Sequence, residues 1–179
     1  MINNPLSGRK AQLTELRSYT AKARFSNSRV ISVWGIAGIG KSALVRNLYY
    51  DRMIHTEQFN MYRWVDVTHP FNLRDFSRSL LLDSHSEKDP IKECSDFLRK
   101  HQCLIVIDDV QSKEEWDSMQ AALVSRDSLS VIIVITTEAS VATYCTNVEE
   151  QVFNVKGLKA VAAFDLFKKE VCFLTSYSM

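Results

Sequence analysis

Five short apolar runs, each followed by a longer stretch of mixed character, set the rhythm of this chain. Val30-Ile31-Ser32-Val33-Trp34, Met61–Val67, Cys103–Ile107, Ser130–Ile135 and Gln151–Val155 read as strands. Cys103–Ile107 is continuously apolar, and so is the fourth run after its first residue, as expected of strands covered on both faces. The stretches between them read mostly as helices. Lys10–Arg24 carries Leu13, Leu16 and Tyr19 at helical spacing, and Ser42–Arg52 gathers Leu44, Val45, Leu48 and Tyr49 on one side. Asn72 can cap a helix that starts at Leu73 and turns Phe76 and Leu80 inward. Ile91–Lys100 forms another helix. Ser112-Lys113-Glu114-Glu115 is a capping box that opens a helix with Trp116, Met119 and Leu123 inside. Gly157 permits a turn into a last helix carrying Val161, Phe164, Leu166 and Phe167. Phe25–Arg29 is a polar turn, Asp83–Pro90 a charged loop, and Pro70 ends the second strand because proline cannot feed a central ladder. Strands alternating with helices predict an α/β fold, a doubly wound and mostly parallel five-stranded sheet flanked by helices. Such sheets bind ligands at the carboxyl ends of their strands.

Residues 35–42, between the first strand and its helix, read Gly-Ile-Ala-Gly-Ile-Gly-Lys-Ser and fit GxxxxGK[ST] at every fixed position. The glycines let the backbone turn tightly enough for its N–H groups to face phosphates. Lys41 would reach the β- and γ-phosphates, the Ser42 hydroxyl would ligate Mg²⁺, and the helix N-terminus would add its positive end. Gly35, Gly38, Ile39, Gly40, Lys41, Ser42 and Ala43 form the predicted phosphate-binding set of a P-loop nucleotide-binding domain.

Two further strand ends point the same way. Cys103–Ile107 runs into Asp108-Asp109. Alone, two acids there cap a turn; behind a P-loop, Asp108 is the candidate Mg²⁺ ligand and Asp109 the candidate base that activates water. Thr136 and Thr137 end the fourth run, either as hydroxyl donors toward a γ-phosphate or as β-branched residues finishing a strand. Trp34, Trp64 and Trp116 read as core rather than as base-stacking platforms.

Composition narrows the options. With 22 basic and 21 acidic residues and a net charge of +1, there is no electrostatic case for a nucleic-acid partner. No apolar run is long enough to span a membrane, and the polar N-terminus is no signal peptide. The four cysteines and four histidines make no zinc-ligand spacing, so the cysteines read as reduced core residues of a cytoplasmic protein. At 179 residues the chain is one α/β domain with room for the start of a second.

The order of motifs resembles the NB-ARC domain of plant NLR immune receptors, a STAND-type P-loop NTPase. Leu6-Ser7-Gly8-Arg9 resembles the family's Gly-Arg lead-in, and Val30–Ser42 its P-loop, though the family usually has Thr where Ser42 stands. Tyr62–Val67 resembles its W-V-x-V string, Leu104–Val110 its Walker B string, and Trp116 the tryptophan downstream of that string. Val131–Thr137 resembles its I-I-V-T-T strand, and Leu158–Val171 the helix at the junction with the ARC region. The resemblance implies a lead-in and helix over 1–29, a nucleotide-binding domain over 30–156, and the start of the ARC1 helical subdomain over 157–179. It places Arg9 near an adenine. It implies a switch: ADP holds the protein closed, ATP permits assembly and defence signalling, and hydrolysis is slow. The implied partners are nucleotide with Mg²⁺ and other domains of an NLR receptor, or full-length NLR proteins. Adenine itself rests on the resemblance; the absence of an Asn/Thr-Lys-x-Asp string argues only weakly against guanine.

Two departures matter. Glu138 stands where the family normally carries an Arg that senses the γ-phosphate, and a carboxylate repels a phosphate. The expectation is a preference for ADP over ATP, or poor hydrolysis. The GLPL segment, winged-helix region, MHD-type histidine, leucine-rich repeats and N-terminal signalling region have no counterpart, so the chain reads as a fragment of a longer receptor or a truncated gene product. Rival readings are a stand-alone weak ATPase, a decoy that binds full-length receptors, and an inactive product.

Overall fold

The five apolar runs are strands of one sheet: β1 (Val30–Trp34), β2 (Met61–Asp66), β3 (Cys103–Asp108), β4 (Val131–Thr136) and β5 (Val152–Asn154). The computed structural model describes residues 8–26, 28–55, 58–82, 88–123, 129–146 and 148–176. The strands lie in the order β2-β3-β4-β1-β5, every neighbouring pair parallel. α1 (Lys10–Ala23) precedes β1, the crossovers between strands supply α2 (Lys41–His55), α3 (Leu73–Leu81), α4 (Pro90–Lys100), α5 (Lys113–Leu123) and α6 (Ala139–Thr146), and α7 (Ala160–Ser176) follows β5.

Strand alternation divides the core into two layers. Leu104, Val106, Ile133 and Ile135 join Ile31 and Val33 against Leu16 of α1 and Leu44, Val45 and Leu48 of α2. Ile105, Ile107, Ile132 and Val134 point the other way, against Phe76, Leu80, Leu98, Trp116, Met119 and Val141 of α3 to α6. With helices on both faces the central strands are buried along their length, which is why they read as continuous apolar runs.

The register aligns the carboxyl ends. Asp66 pairs with Asp108, Asp108 with Ile135, and Trp34 with Thr136, so the chain leaves β1 to β4 along one edge of the sheet.

Some expectations shift. α6 was not foreseen. It buries Val141, Ala142, Cys145 and Thr146, a helical spacing carried by mostly small residues, which is a weak apolar signal. Pro90 is the first residue of α4 rather than part of a loop, where its missing N–H costs nothing, and the rest of the expected 83–90 loop falls largely outside the described residues. Gln151 lies in a 3₁₀ turn (Glu149–Gln151) ahead of a shorter β5. Trp116 is a core residue, whereas Trp34 and Trp64 are half-buried, and the Arg46 guanidinium sits 4.9 Å from the centre of the Trp64 ring. Cys94, Cys103 and Cys145 are free and buried, and burial pushes the Cys94 and Cys145 thiols up to about 12. Among the described residues, no helix is long and apolar enough to cross a membrane.

Candidate functional site

The loop from β1 to α2 bends where glycine alone is relaxed. Gly38 and Gly40 have φ of 73° and 93°, values that a side chain would strain. Ile39 N–H closes a turn onto Ile36 O at 3.3 Å, and the loop delivers the chain into α2 at Lys41. The Lys41 side chain is nearly buried and folds back, its Nζ donating to Gly35 O at 2.9 Å and Ile36 O at 3.2 Å. An ammonium has three donors, so one remains for a phosphate oxygen.

Opposite this loop, Asp108 ends β3 and accepts a hydrogen bond from the Ser42 hydroxyl. Burial raises the Asp108 carboxyl above its ordinary value, and the neighbouring charges of Asp66 and Asp109 push it the same way, against Ser42 and Arg46. A carboxylate held in such surroundings gains most from a cation. Among the described residues no group of three or more acidic, His or Cys side chains forms a cage for a metal. Mg²⁺ needs no such cage, since it binds through one or two carboxylates with phosphate oxygens and water. The donor set of Ser42 and Asp108 fits that requirement.

These groups line one cleft of about 360 Å³, with Ala37, Gly38, Lys41 and Ser42 on the loop side. Asp66, Asp108, Asp109, Ile135, Thr136 and Thr137 form the opposite side, at the ends of β2, β3 and β4. Thr136 is buried, and its Oγ1 accepts from Glu138 N–H at 3.1 Å, shaping the turn into α6; Thr137 and Glu138 are exposed. Gly35, Ile39 and Gly40 build the loop without lining the cleft, and Ala43 is exposed on the first turn of α2. A larger cleft of about 700 Å³ runs along α4 to His101, and none of its lining residues lies at the strand ends where such sheets bind ligands.

Arg9 reaches the loop from behind. Its Nη2 donates to Ile39 O, and its Nη1 donates to Lys156 O at 3.0 Å and Gln12 Oε1 at 3.3 Å. Gln12 in turn exchanges two hydrogen bonds with the Lys156 backbone, both at 3.2 Å.

Asp109 sits on the rim with its carboxylate about half exposed. Oδ2 accepts from Gln111 Nε2 at 3.1 Å and lies 3.4 Å from His69 Nε2. His69 and Asp66 carry no role in the sequence reading. Asp66 was signalled by its place, an acid ending a strand; His69 gave no signal, because its contacts with Asp109 and with Glu115 Oε1 (3.2 Å) arise only from the fold.

A family model of the NB-ARC domain matches residues 15–176. Disease resistance protein RGA4 of Oryza sativa subsp. japonica is 29% identical over 174 residues, covering 93% of this chain and 17% of that protein. Disease resistance protein RPP13 of Arabidopsis thaliana is 32% identical over 146 residues, covering 74% of this chain and 17% of that protein. The chain thus spans less than a fifth of the length of these relatives. Among solved structures, a STAND protein with a tetratricopeptide repeat sensor from Pyrococcus horikoshii superposes with a TM-score of 0.54 at 22% identity, covering 86% of this chain and 24% of that one. Drosophila ORC bound to DNA superposes with a TM-score of 0.59 at 11% identity, covering 87% and 43%. These two likenesses concern the fold alone. The sheet order, the loop at the end of β1 and a match running over most of the chain agree, and the chain belongs to the NB-ARC family, a domain that it shares with plant disease resistance proteins.

Proposed function

We propose that this chain binds ADP or ATP with Mg²⁺ and serves as the nucleotide switch of a cytoplasmic plant immune receptor. The observation that carries this reading is the cleft itself, where Lys41 and Ser42 of a glycine-shaped loop face Asp108 across the strand ends. In this reading Gly38, Gly40 and Lys41 bind phosphate, with Gly35, Ile39 and Ala43 shaping the loop. Ser42 and Asp108 hold the cation, Thr136 and Thr137 present hydroxyls toward the γ-phosphate end, Asp109 orients a water, and Arg9 lies on the adenine side. Bound Mg²⁺ would neutralise charge on the β- and γ-oxygens. Any hydrolysis is slow and resets the switch. Residues 157–179 begin the ARC1 region.

Glu138 carries a further expectation. Its exposed carboxylate replaces the family's Arg after Thr137, so ADP is favoured over ATP. Thermal unfolding with Mg²⁺ plus ADP, ATP or GTP tests both parts. At about 100 times Kd a ligand stabilises by about 2.7 kcal/mol, a shift of roughly 5–10 °C for a domain of this size. The expected result is a shift with ADP, a smaller one with ATP, and neither in Lys41→Ala. Glu138→Arg narrows the gap. A cooperative transition that no nucleotide moves sinks the reading.

A second reading has its own support. Val161, Phe164 and Phe167 of α7 are 74%, 56% and 64% exposed, an apolar surface suited to other domains of an NLR receptor or to a full-length NLR protein. Binding to such a partner that survives Lys41→Ala would favour an interaction role independent of nucleotide.

A further inference from the structure

Asp109 is one of two described non-glycine residues with φ in the left-handed region, at 73°. Aspartate tolerates that conformation better than most side chains. It bends the chain directly after β3, and the Asp109 and Val110 N–H groups both donate to Ile135 O at 3.1 Å. The backbone is thereby pinned to β4. The carboxylate is about half exposed on the rim, where Gln111 Nε2, two residues along the same turn, donates to its Oδ2 at 3.1 Å.

His69 adds an anchor from outside that turn. Its Nε2 lies 3.2 Å from Asp109 O and 3.4 Å from Asp109 Oδ2, so one ring nitrogen spans the main-chain and side-chain oxygens of a single residue. The ring is held from behind as well. Nδ1 lies 3.2 Å from Glu115 Oε1, and the other oxygen of that carboxylate accepts from Gln111 N–H at 2.8 Å. Glu115 is therefore fixed at both ends. The titratable groups facing the ring are thus Asp109, from the turn after β3, and Glu115, from α5. Both offer only acceptors, so the ring meets them as a donor.

We infer that His69 is a positioning residue for Asp109, fixing its carboxylate at the rim of the nucleotide cleft. The inference rests on the nucleotide-binding reading above. Three carboxylates, Asp66, Asp108 and Asp109, already line this cleft against the one ammonium of Lys41. A triphosphate brings more negative charge to that end than a diphosphate, so an Asp109 carboxylate left unrestrained opposes ATP more than ADP.

The test uses the full chain with Mg²⁺ and two probes, ADP and a non-hydrolysable ATP analogue, by titration calorimetry. His69→Ala is expected to weaken the analogue by about 3–10-fold while ADP changes by less than about 2-fold. The effect vanishes in an Asp109→Asn background, and His69→Gln, which still donates toward Asp109, restores part of it. Where turnover is measurable, kcat falls with His69→Ala and is partly regained with His69→Gln. Equal weakening of both probes, or an effect that persists without the Asp109 charge, overturns the inference. Failure of the wild-type chain to bind either probe would sink the nucleotide reading instead. In that case the imidazole resonances of His69 in the free chain decide: they shift on Asp109→Asn and on Glu115→Gln if the ring bridges the two, and unmoved resonances refute the bridge.

Discussion

Asp108 illustrates how a half-buried carboxylate burdens the folded protein. Burial disfavours its charged form more than the Ser42 hydroxyl and Arg46 relieve it, so the folded state holds this proton more tightly than the unfolded chain does. The contribution of such a group to stability is full below the unfolded value near 3.8 and is lost as pH rises through the folded value. At neutral pH the free chain bears the cost, and a cation between Ser42 and Asp108 would offset it. Asp108→Asn is accordingly expected to raise the Tm of the nucleotide-free chain at pH 7, by about 2–4 °C for each ~1 kcal/mol relieved. The gain shrinks as pH is lowered toward 4, and Mg²⁺ with ADP stabilises the variant less than wild type. Calorimetric melts from pH 4 to 8 check this; a variant less stable at every pH would mean that the Ser42 contact outweighs burial.

Short helices here depend on their first turn. α3 has nine residues, and the Asn72 side chain accepts from the N–H groups of Arg74 at 2.9 Å and Asp75 at 3.2 Å. Asn72→Ala should cost about 1 kcal/mol, read as a lower urea midpoint with unchanged slope. This cap was legible, because Asn directly before an apolar-periodic stretch has a local meaning. So were the five strands, since parallel strands covered on both faces must be apolar along their length. α6 was not, because Ala142, Cys145 and Thr146 pack by being small. The capping box at Ser112 was read correctly in part. Ser112 Oγ accepts from Glu115 N–H at 3.1 Å, but the Glu115 carboxylate turns to Gln111 N–H and to His69. Residues of the loop after β1 announce themselves because its backbone geometry demands glycine at set spacing. A histidine forty positions from the aspartate it touches leaves no such trace.

At the scale of the molecule, one polar clip joins three parts far apart in sequence. Arg9 and Gln12 tie the lead-in of α1 to the glycine-rich loop at Ile39 and to Lys156, just ahead of α7. Packing reinforces the tie, since a Cβ at Gly8 would fall 2.3 Å from the Ala162 Cβ of α7. The side of α7 that meets Gly8 is thus committed to this chain, whereas Val161, Phe164 and Phe167 face outward. Removing their apolar character should leave the fold intact, because exposed substitutions seldom change stability by more than about 0.5 kcal/mol. Phe164→Glu with Phe167→Glu is expected to keep the melting temperature within about 2 °C and to preserve any shift with ADP. It should also abolish concentration-dependent self-association in sedimentation, which contiguous apolar surface of this kind promotes. A large loss of stability would instead show that these phenylalanines pack against the chain itself. Self-association undiminished in the variant would point to another surface, for which the edge strand β2, with its half-buried Tyr62 and Trp64, is the next to probe by substitution.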